Sequence, residues 1–332
     1  MSQGTIRAVA DVESEEASRP PAHRRYFVYH EGEYVRYADV GLGLMTHAFS
    51  YGTACFEGVR AYWSPGTQQL NLFQARPHFE RLARSAKILR MKLPHGPDEM
   101  VQIACEVLRR NGFRENSFIR PTLYKSAEEI GVRLTGVRDS FAVYALPFGD
   151  YVPVDHGLRC MVSSWRRISD ESIPARAKIS GSYINSALAK SEALDNGFDE
   201  AIVLTSNGHV SEGSAENLFI IRDGIVATPP VTDDILEGVT RAALIRIFRE
   251  ELGMTVTERS IDRTELYTCD ELLLCGTAAQ VSGVVEVDHR IIADGVVGPT
   301  TARLQSAYLA IVAGETPKYS DWLTPVYGST DV

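Results

Sequence analysis

The chain has 332 residues, about twice the length of one ordinary domain, and its 44% hydrophobic and 23% charged residues are the balance of a globular protein. That composition excludes disordered, collagen-like and disulfide-framework classes. A net charge of -9 with no block of Lys or Arg argues against nucleic acid or an anionic membrane as a partner.

Residues 1–25 are polar and aperiodic and are expected to be a disordered tail. Alternation over 26–35, turning at Glu31-Gly32, predicts paired strands; the segment 49–59 reads as a strand with a connecting loop. Pro77 is expected to open a helix whose Phe79, Leu82, Ala86 and Leu89 form one stripe. A second helix is predicted over 98–110, with Val101, Ala104, Cys105 and Leu108 inward and Asn111-Gly112 as its stop. Strands follow at 117–124 and 140–145, and the two prolines and glycine of 147–153 mark an interdomain linker. The second half begins with a strand over 157–165, then a helix over 181–195. Asn207-Gly208 and Asp223-Gly224 are hairpin turns between apolar runs. Thr240 can cap a helix striped by Leu244, Ile247, Phe248 and Leu252, and 272–275 is a buried strand entering Gly276-Thr277-Ala278-Ala279.

Five cysteines are scattered without C-x-x-C pairs or zinc spacing, which predicts a reducing cytoplasm and no metal. No apolar run approaches the roughly 18 residues of a membrane span, and no signal-peptide pattern opens the chain. P-loop, nucleophile-elbow and H-E-x-x-H motifs are absent, as is the third glycine of a dinucleotide fingerprint at Gly41-Leu42-Gly43.

Lys178 is the first candidate for chemistry. It lies among small residues just before a helix, where a backbone-held, partly desolvated amine can form a Schiff base; most loop lysines are merely solvated. Ser211-Glu212-Gly213-Ser214-Ala215-Glu216-Asn217-Leu218 sets two carboxylates between apolar strands, where an acid without a function is costly to bury. Gly238-Val239-Thr240 and Gly276-Thr277-Ala278 can each aim N–H groups and hydroxyls at an anion. A Schiff-base lysine, a buried acid and two anion-binding turns are together the parts that pyridoxal 5'-phosphate requires.

At this point the chain resembles the class IV, or fold-type IV, aminotransferases, and among them the branched-chain amino acid aminotransferases. The resemblance covers about residues 26–322 and is carried by Tyr51-Gly52-Thr53-Ala54-Cys55-Phe56-Glu57-Gly58-Val59-Arg60, Phe79-Glu80-Arg81-Leu82, Phe118-Ile119-Arg120-Pro121, Ser163-Ser164-Trp165-Arg166-Arg167, the Lys178 loop, 211–218 and Gly276-Thr277-Ala278-Ala279. It implies an α+β, two-domain fold of the D-amino acid aminotransferase type, with the cofactor in the cleft between a small α/β domain at 26–146 and a larger domain at 155–332, joined by a linker at 147–154.

Under that resemblance Lys178 binds the cofactor and, once freed by the incoming amine, moves the proton at the substrate α-carbon. Glu212 keeps the pyridine nitrogen protonated, with Glu216 the next candidate, and Tyr183 bonds the ring hydroxyl oxygen. Arg81, Val239, Thr240 and Thr277 bind the phosphate. Phe56, Gly58, Phe148 and Tyr151 surround the substrate side chain, and Thr277 and Ala278 meet its α-carboxylate. Arg120 receives the γ-carboxylate of glutamate, with Arg60 and Arg133 as alternatives. Tyr51 and Val132 come from a neighbouring subunit, so the expected unit is at minimum a homodimer, with a hexamer also open.

The expected reaction is transamination between L-leucine, L-isoleucine or L-valine and 2-oxoglutarate. Three features depart from the family pattern: Ile179-Ser180-Gly181-Ser182 after the lysine, Glu237 for a usual proline, and Phe148 for a common tryptophan. The loop 124–136 also loses the family's Gly-rich start, which leaves room for (R)-amines or D-amino acids. D-amino acid aminotransferase and aminodeoxychorismate lyase are rivals within the fold; a non-catalytic two-domain binding protein is the rival outside it.

Overall fold

A computed structural model describes residues 22–149 and 157–328. The alternating start closes as a hairpin of β1 (Phe27–His30) and β2 (Glu33–Arg36) around Glu31 and Gly32, whose φ values are 50° and 98°. With β3 (Ala54–Phe56), β4 (Val59–Ser64), β5 (Gln69–Phe73), β6 (Ser117–Lys125) and β7 (Asp139–Pro147) they build an antiparallel sheet in the order β5-β4-β6-β7-β1-β2, β3 pairing β6. The strand Leu323–Pro325 returns to this sheet beside β5. Against it pack α2 (Ala75–Ile88) and α3 (Pro97–Asn111), burying Phe79, Leu82, Ala86, Val101, Ala104 and Leu108 as the periodicity predicts.

The chain between β2 and β3 departs from its extended reading, because 47–51 is a short helix, α1 (His47–Tyr51), ended by Gly52 at φ 66°. Five residues span too few turns to show a helical period in sequence.

A second sheet carries β8 (Leu158–Arg166), β9 (Glu200–Leu204), β10 (Val210–Gly213), β11 (Asn217–Arg222), β12 (Ile225–Thr228), β13 (Val256–Glu258), β14 (Glu271–Gly276), β15 (Gln280–Val287) and β16 (Arg290–Ile291). Its order is β10-β9-β8-β15-β14-β11-β12-β13, with β16 on β15. Both predicted hairpin turns join antiparallel neighbours, β9 to β10 and β11 to β12. Parallel pairs need crossovers, and α4 (Tyr183–Asp195) and α5 (Val239–Glu250) supply them between β8 and β9 and between β12 and β13. A last helix, α6 (Pro299–Val312), packs on α5 and the second sheet. The cap of α5 is Gly238 rather than Thr240, which sits buried in the first turn. A Cβ at Gly238 would lie 1.9 Å from Asn217 Oδ1, so packing decides the cap where side-chain preference would favour threonine.

The two sheets are joined by an apolar cluster in which Tyr62 and Phe73 of the first meet Phe219, Tyr308 and Trp322, with the Tyr62 and Tyr308 hydroxyls 3.0 Å apart. They are also joined through backbone: Phe56 N donates to Lys178 O and Gly181 N to Gly52 O, each at 3.1 Å, and Cys55 bridges Ile179. A Cβ on Gly52 would stand 2.7 Å from Gly181 Cα. Gly52→Ala therefore meets both a left-handed backbone and a backbone clash, and should cost about 1–2 kcal/mol from the first alone. Thermal unfolding is the measure, and an unchanged Tm would contradict the close approach.

Candidate functional site

A cavity of about 470 Å³ opens between the sheets, lined from the first by Phe56, Gly58, Phe118, Arg120 and Phe148, from α2 by Arg81, and from the second half by Lys178, Tyr183, Glu212, Val239, Thr240, Thr277 and Ala278. The structure thus gathers residues the sequence scatters over more than 200 positions. Tyr151 lies outside the described residues.

Lys178 is held by its backbone, its N–H donating to Ser85 Oγ at 3.1 Å and its carbonyl accepting from Phe56. With the main chain pinned on both sides, the amine is free to reach into the cavity, where Nζ donates to Tyr183 Oη at 2.6 Å and lies 5.3 Å from the centre of the Phe56 ring. Tyr183 is the first residue of α4, so the start of that helix sets the distance.

Two acids face the same space. Glu212, on β10, is buried; burial raises its pKa, while Arg167 Nη2, 2.8 Å from Oε1, acts in the opposite sense. Its Oε2 accepts from Asn217 Nδ2 at 3.0 Å and from Leu236 N at 2.9 Å. Glu216 is as buried, yet it accepts only from the Ala215 amide and has no ion pair among the described residues. Burial, followed by the nearby Glu200 carboxylate, pushes it up to about 8. The two acids therefore differ in kind: Glu212 has a cation and two donors that oppose the effect of burial, whereas Glu216 has a single amide and a neighbouring carboxylate that adds to it.

Arg81 also lines the cavity: it is 3% exposed and bonds Glu57 through both Nε and Nη2, at 2.7 and 2.8 Å, while Nη1 donates to Glu237 O at 2.8 Å. Glu237 precedes Gly238, the N-cap of α5, whose first-turn N–H groups have no acceptor within the helix. Arg81, Val239, Thr240 and Thr277 line one continuous cavity and could hold an anion through a guanidinium, hydroxyls and helix N–H groups. Glu237 also pairs with Arg176 through its side chain, a contact a proline could not make.

Phe56, Phe118 and Phe148 supply apolar wall, and a Cβ on Gly58 would meet the Phe118 ring at 2.6 Å, so glycine there keeps space open. Arg120 lies over Phe56 with its guanidinium 4.4 Å from the ring centre, and its Nε is buried with no hydrogen-bond partner. Arg60 is turned elsewhere, donating to Ala278 O and Gly149 O; Arg133 is exposed and pairs with Glu129 at 3.5 Å. Tyr51 and Val132 do not line this chain's cavity: both are exposed, the Tyr51 hydroxyl accepting from Gly131 N at 3.1 Å. Among the described residues no group of three His, Cys, Asp or Glu is placed to hold a metal ion.

Sequence reasoning assigned no role to Glu57, His78, Ser85, Arg167 or Asn217. Glu57, Arg167 and Asn217 lie inside recognised segments, but their partners are distant in the chain. The only local signal was the His78-x-x-Arg81 spacing, which puts two polar residues on one face of α2.

The chain matches the family model for class IV amino-transferases over residues 54–287. A probable branched-chain-amino-acid aminotransferase of Aquifex aeolicus (strain VF5) is 47% identical over 301 residues, covering 91% of this chain and 97% of its own. Among solved structures, a branched-chain aminotransferase of Thermoproteus uzoniensis with norvaline superposes with a TM-score of 0.87 at 42% identity, covering 91% of this chain and 99% of that one. The T.th. branched-chain amino acid aminotransferase complexed with N-(5'-phosphopyridoxyl)-L-glutamate gives a TM-score of 0.87 at 39% identity, covering 92% and 99%. A match of this extent, centred on strands and loops that enclose the Lys178 cavity, establishes that the chain belongs to the class IV aminotransferase family.

Proposed function

We propose that the protein transfers the amino group of L-leucine, L-isoleucine or L-valine to 2-oxoglutarate, with pyridoxal 5'-phosphate bound through Lys178 in the cavity between the sheets. The observation that carries this is the Lys178 amine, fixed by backbone bonds and 2.6 Å from Tyr183 Oη, in one cavity with a paired buried acid, Glu212, and the donors of Arg81, Thr240 and Thr277. Relatives named as branched-chain aminotransferases, one of them complexed with a phosphopyridoxyl-glutamate, support both the cofactor and the two substrate types.

The cofactor supplies an electron-withdrawing ring that stabilises negative charge at the substrate α-carbon. Lys178 holds and moves the proton at that carbon, and Tyr183 orients the amine and bonds the ring hydroxyl oxygen. Glu212, paired with Arg167, would face the pyridine nitrogen and hold its proton. Arg81, Thr277 and the Val239-Thr240 end of α5 would hold the phosphate. Phe56, Phe118 and Phe148 exclude water and receive the aliphatic side chain, with Gly58 leaving it room. Thr277 and Ala278 would meet the α-carboxylate.

We place the two domains at 26–146 and 155–332 with the linker at 147–154, the strand Leu323–Pro325 crossing back to the first sheet. A second copy of the chain would complete the site. Leu42, Leu44, Met45, Phe49, Ile130 and Val132 are exposed together, because His47 N donates to Ala127 O and Thr46 bridges Glu128. This apolar face beside Tyr51 supports a homodimer as the smallest unit. Five free, buried cysteines support a reducing compartment, and no helix among the described residues is long and apolar enough to cross a membrane.

Glu212→Gln keeps the bonding shape but removes the charge, so turnover should fall about a hundredfold while cofactor binding persists. Near-normal turnover would show that the acid over the ring nitrogen is another residue.

Arg120 gives the substrate test. A γ-carboxylate entering an apolar cavity needs a cation, and Arg120, which lines the cavity, has a buried Nε without an acceptor. Single-turnover reactions should proceed with both L-leucine and L-glutamate. In Arg120→Ala, KM for glutamate should rise on the order of tenfold to a hundredfold while the leucine half-reaction changes little. Equal losses would make Arg120 structural. Turnover of D-alanine with none of L-leucine would overturn the substrate assignment.

A further inference from the structure

Glu57 is fully buried at the turn between β3 and β4, with its backbone N–H fixed to Pro121 O on β6. Its carboxylate accepts three hydrogen bonds, two from the Arg81 fork and one from His78 Nδ1 at 2.8 Å. His78 and Arg81 stand one turn apart on α2, so the helix presents both to the same acid.

Burial works to raise the Glu57 pKa, but Arg81 and His78 hold the carboxyl well below the usual carboxylate range. Burial also lowers the pKa of His78, so its ring is neutral at pH 7 and donates from Nδ1. The cluster therefore has one positive and one negative charge and no net charge. A guanidinium has five N–H donors in a rigid plane. Arg81, a residue of the cavity lining, uses two on Glu57 and one on Glu237 O, which leaves one each on Nη1 and Nη2.

We propose that Glu57 and His78 are positioning residues for the phosphate site of the cavity: Glu57 cancels the charge of Arg81 and, with His78, locks its fork, so that a phosphate monoester is selected by the two remaining N–H groups and the α5 N-terminus rather than by a free cation. This rests on the cofactor reading above and deepens it. Removing the His78 donor leaves Glu57 Oε2 held by Arg81 Nη2 alone and loosens the carboxylate that orients the fork. The loss falls on phosphate binding, whereas reaction of an aldehyde with Lys178 is untouched.

The test titrates cofactor-free protein with pyridoxal 5'-phosphate and, separately, with pyridoxal, which lacks the phosphate, following the absorbance of the lysine-bound group. Wild type should favour the phosphorylated form. His78→Leu should weaken pyridoxal 5'-phosphate about tenfold, the scale of one hydrogen bond to a charged group, and leave pyridoxal unchanged. His78→Asn, which restores an N–H near Nδ1, should recover most of the loss. Glu57→Gln should also weaken the phosphorylated form alone; tighter binding in that variant would show Arg81 acting as a free cation and would overturn the proposal. Equal weakening for both aldehydes in folded variants would reduce Glu57 and His78 to structural residues. If wild type itself did not favour the phosphorylated form, the cofactor reading would fail first and take this proposal with it.

Discussion

The site depends on a backbone clasp. Lys178 belongs to the second half of the chain, yet its peptide is bonded on both sides by the first: Ser85 Oγ accepts its N–H, and its carbonyl accepts from Phe56. Gly181 N, three residues on, donates to Gly52 O. Buried peptide groups must find partners, so these bonds hold the loop as firmly as a strand edge would. Ser85 lies on the helix that carries His78 and Arg81, all three buried in α2. One helix therefore fixes both the amine and the anion end of the cavity, and relative motion of the two ends is suppressed by the stiffness of a single element.

Electrostatics sorts the buried charges into those with partners and those without. Glu57 has Arg81 and His78; Glu212 has Arg167 and two further donors. In both, near neighbours of opposite sign or donors oppose the cost of leaving water; they prevail at Glu57, whereas burial still raises the pKa of Glu212 on balance. Glu216 has one amide and an adjacent carboxylate, and it resolves the conflict by keeping a proton, with its pKa pushed up to about 8. The contrast supports the proposal that Glu212, the acid with a paired cation, faces the ring nitrogen. Arg120 is the complement: a cation stacked on Phe56 whose Nε lacks an acceptor, in a wall that is otherwise largely aromatic.

Much of this was legible in the sequence. The stripe Phe79, Leu82, Ala86 and Leu89 is buried as its period requires, and the Asn-Gly and Asp-Gly turns join the strands they separate. Lys178 and Glu212 stood out because small residues surround a lysine and apolar strands flank an acid. What was missed has a common cause: α1 is too short to be periodic, and Gly238 caps α5 because Asn217, far away in the chain, fills the space beside it. Beyond Ala279 the sequence predicts no individual element, and α6 and the returning strand Leu323–Pro325 lie there; the pairing of that strand with β5 is a long-range contact that no local pattern encodes. The partners of Glu57 and Glu212 were hidden for the same reason, since an ion pair is a property of two positions brought together by the fold.

The most direct measurement of the central claim is covalent. Reduction of the cofactor-loaded protein with borohydride, followed by peptide mapping, should place a single phosphopyridoxyl group on the peptide that contains Lys178, and Lys178→Ala should carry none. A group found instead on Lys125 or Lys190, or no group on protein that has been loaded with the cofactor, would contradict the account.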